Sequence, residues 1–331
     1  MILVLNCGSQ SIKWKVFNEK LKVVQEGRRN VLAQENFQEI LAEELNKIDR
    51  TKVNLIGHRV VHGGGIFTKS TEITSNNIGQ LEKISNLAPL HNPFNVFGIK
   101  KCQEVFGGVK NVAVFDTEFF NDLPSYVYTC ALPEEIVKEC GFRKYGFHGI
   151  SHEYVASKTK AKKIITVHLG GGCSITAIKN GKAIDTSMGF TPMQGLIMMT
   201  RAGDIDSGIV LELVKKYGLD RTNDILNKES GVSGICGEKE MLKVLDKVKA
   251  GDKKAKLAFD VFVYSAKKYI GSYFAILGGC DALIFTGSIG SGLKITRNAI
   301  CKNLDILKNT KIMAVETDEE LAIAQKIIKL K

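Results

Sequence analysis

The chain is 331 residues long, 44% hydrophobic and 24% charged, with a formal net charge of +11. That length exceeds one ordinary core and suits two, and the composition is ordinary for a globular protein. The lysines are scattered, without a long basic block or interleaved aromatics, so nucleic acid is not an expected partner; the basic balance reads as a solvated surface whose mild positive field gathers anionic substrates.

From Ile2, the stretch ILVLNCGSQSIKWKVF runs four apolar residues into Asn6, breaks at Cys7-Gly8-Ser9-Gln10-Ser11, and resumes alternation with Ile12, Trp14 and Val16. This is a hairpin, and its small-residue turn is either a plain turn or a loop built to hold an anion. In NFQEILAEELNKI, the residues Phe37, Ile40, Leu41, Leu45 and Ile48 share one helical face. NLIGHRVVHGGG is a strand ending in three glycines, and VAVFD is a buried strand ending in Asp116. IITVHLGGGCSITAIKNGKAID then repeats the opening hairpin at an offset of 163: Ile2 meets Ile165, Val4 meets Val167, Gly8 meets Gly171, and Ser11-Ile12 meets Ser174-Ile175. Leu257, Val261 and Tyr264, then Ile270, Phe274 and Leu277, mark a long helix. ALIFTGSIGSG is a strand running into a glycine turn and then a helix, and DEELAIAQKIIKL is a closing helix. Strands alternate with helices, so the class is α/β, in two similar lobes with a boundary near 117–120.

YFAILGGCDALIF, the most apolar late stretch, contains two glycines and Asp281 and is too short to span a bilayer, so no membrane is expected. The N-terminus lacks a signal-peptide pattern. Eight cysteines without a C-x-x-C pair point to reduced thiols in a cytoplasm.

All six histidines (His58, His62, His91, His148, His152 and His168) fall beside glycine, proline or a strand end, where active-site loops lie. HRVVH and HGISH have i, i+4 spacing, but HRVVH reads as a strand carrying Arg59 and HGISH lacks the glutamate of a zinc protease, so zinc is not expected. His58, His62 and His91 are expected to hydrogen-bond loop backbone. RVVHGGG, MMTRAGDID and TGSIGSG offer exposed backbone amides, two of them beside an arginine. Glycine-turn amides, guanidinium forks and a carboxylate for Mg²⁺ are what phosphoryl transfer needs. No G-x-x-x-x-G-K-[ST] is present, so a P-loop is absent.

VLNCGSQSIK, GHRVVHGGG, LAPLHNP, VAVFDTEF, YGFHGISHEYV, TSMGFTPMQGL, TRAGDID and TDEELAIA, in this order from residue 1 to about 325, closely resemble the signatures of the acetate kinase family. The resemblance implies two duplicated lobes of the ribonuclease H-like, actin- and hexokinase-type fold with an interlobe active-site cleft. Residues 1–117 plus 320–331 would form the acetate and phosphate lobe, and 118–319 the nucleotide lobe and dimer interface. It implies reversible in-line phosphoryl transfer from ATP to acetate, giving ADP and acetyl phosphate, with Mg²⁺ (Mn²⁺ able to substitute) in a cytoplasmic homodimer. The opening turn becomes a phosphate-facing hairpin. Arg59 and Arg201 match the arginines that hold the acetate carboxylate and the transferring group, and His148 the histidine that hydrogen-bonds it. Asn6, Asp116 and Glu319 match the magnesium site. Ser9, Ser11 and Lys13 match the first phosphate hairpin, and His168 with Gly170, Gly171 and Gly172 the second. Val61, Leu90, Phe147 and Pro192 match the pocket for the acetate methyl, and Gly287 and Gly290 the nucleoside side.

The family's G-G-I-G-E-N appears here as Gly287-Ser288-Ile289-Gly290-Ser291-Gly292, and its H-L-G-N-G as His168-Leu169-Gly170-Gly171-Gly172. Ser207 and Glu316 stand where prolines are expected, and the chain is several dozen residues shorter than typical members. The acid side is complete and the nucleoside side thinned. Rival readings are another acid such as propionate, another donor such as pyrophosphate, or a non-catalytic nucleotide sensor.

Overall fold

Leu3, Leu5 and Cys7 alternate with Ile2, Val4 and Asn6 along β1 (Ile2–Cys7), so this strand is buried on both faces. In the computed structural model, which describes residues 1–9, 11–31 and 36–330, it lies inside a six-stranded sheet. Gln10 of the first turn falls outside the described residues. β2 (Ser11–Phe17) and β3 (Val23–Asn30) continue antiparallel on one side of β1. β4 (Leu55–Val60) and β6 (Lys110–Phe115) lie parallel on the other, with the short β5 (Thr71–Glu72) at the edge. The order is β3-β2-β1-β4-β6-β5. α1 (Phe37–Asn46) and α2 (Asn92–Val105) cover one face, with Leu3, Leu5, Ile12 and Trp14 clustered with Phe37, Leu41, Leu45 and Cys102. The helical face expected from Phe37, Leu41 and Leu45 is the buried one.

After α3 (Gly149–Ala156) the pattern starts again. β7 (Lys163–Leu169), β8 (Cys173–Lys179) and β9 (Lys182–Thr186) run antiparallel, β10 (Ala282–Thr286) pairs parallel to β7, and β11 (Lys311–Ala314) parallel to β10. Strand for strand, β9-β8-β7-β10-β11 repeats β3-β2-β1-β4-β6, so the duplication holds as topology. The register is not carried along. Val4 faces Lys15, whereas Val167 faces Ile175, three positions short of the Ile178 that a constant offset of 163 requires. The second turn is also tighter, closing at Leu169↔Cys173 instead of Cys7↔Ile12.

α4 (Lys253–Leu277) starts at Asp252, whose carboxylate accepts from the Ala255 amide at 3.0 Å, and stops at left-handed Gly278. Its buried stripe is Ala255, Phe259, Phe262, Ala266, Ile270, Tyr273 and Leu277. Leu257 and Tyr264, which helped mark the helix, are exposed. The inner face is the one that carries Phe259, Phe262, Ile270, Tyr273 and Leu277, with alanines between them. The glycine turn after β10 is itself helical, as α5 (Gly287–Gly290), and α6 (Lys294–Cys301) follows. α7 (Glu319–Ile327) closes the chain and packs Ile323, Ala324 and Ile327 against Ile2, Val4 and Leu55, the second face of the first sheet.

The chain divides into two compact units: Met1–Asn121 with Phe147–Tyr154 and Asp318–Lys331, and Asp122–Gly146 with Val155–Thr317. The expected boundaries put 118–121, 147–154 and 318–319 in the second lobe, but the structure groups them with the first. The Gly149 amide bonds the Asp116 carbonyl at 2.9 Å, a backbone tie that brings 147–154 back to the end of β6. Among the described residues no helix is long and apolar enough to cross a membrane. All eight cysteines are free.

Candidate active site

In the first unit the predicted polar residues gather where β1, β4 and β6 end. Arg59, on β4, donates from Nε to Asp116 Oδ1 at 3.2 Å and from Nη2 to Oδ2 at 2.7 Å, a fork on a carboxylate. Its Nη1 lies 3.2 Å from Glu319 Oε2, at the start of α7. Burial works against the Arg59 charge, but Asp116 and then Glu319 outweigh it and raise the guanidinium above its ordinary value. Burial also raises the Asp116 carboxyl; Arg59 opposes the shift and Glu319 adds to it. One cation therefore serves two carboxylates, an excess of negative charge that a hard divalent cation would relieve. Asn6, buried at the end of β1, adds a neutral oxygen to the same set of strand ends. No group of three or more His, Cys, Asp or Glu side chains able to hold a metal occurs among the described residues. Two carboxylates suffice for Mg²⁺, which fills its remaining positions with phosphate oxygens and water.

His148 precedes α3 in a left-handed backbone conformation, φ +59°, at a cost on the order of 1 kcal/mol. Its neighbours hold it there: the Gly149 amide bonds the Asp116 carbonyl, and the His152 amide bonds the His148 carbonyl, both at 2.9 Å. A Cβ on Gly149 would sit 2.2 Å from the Asp116 carbonyl oxygen, so only glycine allows this approach. Ser9, Ser11 and Lys13 line the first hairpin, where the Gly8 amide bonds the Ser11 carbonyl at 2.9 Å and Lys13 pairs with Asn6. Val61 and Phe147 are buried, whereas Leu90 is 40% exposed in the turn before α2.

Three supports in this unit were not anticipated from sequence. Asn92 and Asn95, on the first turn of α2, are buried and hold the backbone of His62 and Val61. Lys15 holds Asp318 at 2.9 Å and pins the start of α7 to β2. The signal was present in N-P-F-N and T-D-E-E, yet such residues also read as ordinary helix starts. His62 fits its expected role, its Nδ1 accepting from the Gly64 amide at 2.8 Å. His58 does not: its Nε2 meets the Asn111 side chain at 2.7 Å, not loop backbone.

Burial lowers the His58 pKa to about 4, with Asn111 opposing. The unfolded chain takes up this proton near 6.5. The stability it contributes is therefore full above that pH and is lost as pH falls towards 4. Roughly 2 kcal/mol should be gone by pH 5. Urea midpoints at pH 7 and pH 5 check this, and His58→Gln should flatten that part of the slope.

In the second unit the glycine turn after β7 meets the loop carrying Arg201. The Met199 amide bonds the Gly171 carbonyl at 3.4 Å, and the Gly170 amide bonds Gly172 at 3.0 Å. Arg201 donates from Nη1 to the Pro192 carbonyl at 3.2 Å and lies 3.8 Å from Met198 Sδ. It is half-buried and forms no ion pair with any acid among the described residues. Burial lowers its pKa below the ordinary value, with Cys173 opposing. Asp204, also missed from sequence, fixes this loop by accepting from the Gly195 amide at 3.0 Å and from the Tyr269 hydroxyl at 2.5 Å. His168, on β7, pairs with Ser174 and Thr286. A Cβ on Gly170 would lie 3.7 Å from Ser288 Oγ and 3.8 Å from His168 Nε2, so the two glycine turns are neighbours. Gly287, at φ +78°, brings α5 against β7 so closely that a Cβ would meet the Leu169 carbonyl at 2.5 Å; Gly290 lies on the same helix.

Residues 25–327 match the acetokinase family. The chain belongs to the acetokinase family. An acetate kinase of Carboxydothermus hydrogenoformans is 38% identical over 392 aligned positions, covering 99% of this chain and 98% of that one. The alignment is longer than this member of the acetokinase family, in keeping with its shortened segments. The crystal structure of Porphyromonas gingivalis acetate kinase superimposes with a TM-score of 0.89 at 34% identity, covering 100% of this chain and 99% of the other. A propionate kinase from Francisella tularensis gives 0.87 at 36% identity, covering 98% of each chain. The two-unit α/β fold expected from the sequence is the fold of these acetokinase relatives.

Proposed function

We propose that this chain transfers a phosphoryl group from ATP to acetate, giving ADP and acetyl phosphate, and runs the reverse reaction. One observation carries the reading beyond family membership: Arg201 is a half-buried guanidinium that forms no ion pair with any acid among the described residues. A cation kept in such a place has an anionic ligand as its natural partner. We assign it the transferring phosphoryl group, whose equatorial oxygens match a planar fork. Arg59 orients the acetate carboxylate and His148 donates to the phosphoryl oxygens. Ser9, Ser11 and Lys13 face phosphate through the first hairpin; His168 and Gly170 to Gly172 do so through the second; Gly287 and Gly290 flank the nucleoside. Asn6, Asp116 and Glu319 would hold Mg²⁺, which neutralises charge on the phosphates. The test is acyl phosphate formation, trapped as hydroxamate, with ATP, GTP or pyrophosphate as donor. ATP should serve, with GTP within about tenfold, since Ser291 and Gly292, in place of the family's glutamate and asparagine, leave few contacts to discriminate bases at ~1.4 kcal/mol per tenfold. Product from pyrophosphate and none from any nucleotide would overturn the donor.

A second acid is favoured by the propionate kinase relative. Val61, Leu90, Phe147 and Pro192 are assigned to the acid's alkyl group. Val61→Ala should shift kcat/KM towards propionate by roughly tenfold, because one methylene is worth about 1–3 kcal/mol in such a pocket. An unchanged acid preference would make Val61 a packing residue.

We place the enzyme in the cytoplasm, which suits eight free cysteines. The homodimer we propose uses the exposed apolar row Leu257 and Tyr264 on α4. Tyr264→Glu should lower the mass seen by sedimentation; a parent that is already monomeric would remove the assignment.

A further inference from the structure

Parallel pairing of β1 with β4 ends at Leu5↔His58, two residues before Cys7 and three before Val61. Beyond that rung the backbone groups of the two strands would need other partners. The Asn95 side chain supplies them. Its Oδ1 accepts from the Val61 amide at 3.1 Å and its Nδ2 donates to the Cys7 carbonyl at 2.6 Å. A side-chain amide thus stands in for a peptide unit between the splaying strands. It is only 3% exposed, so each bond is shielded from water. A second feature brings it within reach. Gly98, one turn further along α2, lets the helix lie against β1, because a Cβ there would sit 2.7 Å from Cys7 Sγ.

We propose that Asn95 is a positioning residue that sets the spacing between Val61 and the first hairpin, and through it the size of the acid the enzyme accepts. This rests on the reading above in which Val61 faces the acid's alkyl group. The chain of contacts is short: the Cys7 carbonyl directly precedes Gly8 of the turn, and the Val61 amide belongs to the residue assigned to the pocket. Losing the clamp lets Val61 move away from the hairpin and widens the pocket. Asn92, its neighbour on the helix, holds His62 by both amide and carbonyl, at 3.0 and 2.9 Å, so the segment beyond Val61 stays fixed. Val61 is the point where the two anchors part.

Asn95→Asp separates the two bonds. The carboxylate still accepts from the Val61 amide but cannot donate to the Cys7 carbonyl, and two oxygens then face each other in a dry site. Protonation restores a donor. The expected result is an acetate KM about tenfold higher at pH 8, the scale of one buried acceptor left unpaired. The ratio of kcat/KM for propionate over acetate should rise several-fold, with the ATP KM within twofold of the parent. Both defects should shrink towards pH 6 in the variant and not in the parent. Gly98→Ala, which pushes the helix off Cys7, should shift the acid ratio in the same direction and serves if the aspartate variant does not fold. Lower thermal stability with parental acid preference and a parental pH profile in the folded variants would overturn the proposal, as a merely structural clamp would do only that. A parent enzyme that forms no acyl phosphate would instead overturn the underlying function.

Discussion

Arg201→Ala is expected to lower kcat by about 10²–10³, the ~3–4 kcal/mol cost of removing a preorganised donor aimed at developing charge. The fold should survive, because this guanidinium is tied to a carbonyl and a thioether and, among the described residues, leaves no ion-paired acid behind when removed. Its charge is already disfavoured by burial. The melting temperature of the variant should therefore equal or exceed that of the parent, as expected where function keeps a group that stability does not want. Arg201→Lys should recover little, since an ammonium is a point charge and cannot place two parallel donors on one phosphoryl group. Steady-state kinetics and thermal melts on both variants check this together. Near-parental turnover in the alanine variant would take Arg201 out of the chemistry, and a collapsed melting temperature would make it structural.

What was legible in the sequence had a periodicity or a chemical signature. The two hairpins, the strand ending at Asp116 and the face of α1 are all apolar patterns with a definite period, and the structure keeps them. β3 was not readable: VVQEGRRN is exposed along nearly all its length and lacks the alternation a buried face imposes. The return of 147–154 to the first unit was equally hidden, because the tie is one backbone bond from Gly149 to the Asp116 carbonyl. α4 misled in a different way. It carries two apolar stripes, and the sequence alone does not say that the one with Phe259, Phe262 and Tyr273 is buried while Leu257 and Tyr264 stay exposed. Asn92 and Asn95 look like residues that start a helix, and only the splaying of β1 from β4 shows what they hold. The register of the second hairpin could not be read from the repeat, since small-residue turns of different length give the same pattern of matches.

Asp116→Asn should lose both activity and stability, whereas Glu319→Gln should lose mainly activity. Both carboxylates contact Arg59, but unequally. Asp116 takes two hydrogen bonds and is fully enclosed, while Glu319 offers one contact at 3.2 Å from a more open position at the start of α7. Removing one partner from a buried pair costs about 3–5 kcal/mol, because the charge left behind has nowhere to go. Here Glu319 still neutralises part of Arg59, so the lower end, ~3 kcal/mol, is the expected loss for Asp116→Asn. An asparagine also turns one donor pair towards each other, its amide against the guanidinium. Glu319→Gln leaves the Asp116 fork intact and should cost ~1 kcal/mol or less, in line with partly exposed pairs. On activity the two should converge, for each variant lacks one of the two carboxylates assigned to Mg²⁺. The concentration of Mg²⁺ giving half-maximal rate should rise for both, and chelation by EDTA should silence the parent. Titrating Mg²⁺ against rate and, separately, against the urea midpoint distinguishes the two roles. If Mg²⁺ dependence is parental in both variants, these acids serve Arg59 alone, and the excess negative charge around that arginine has some other purpose.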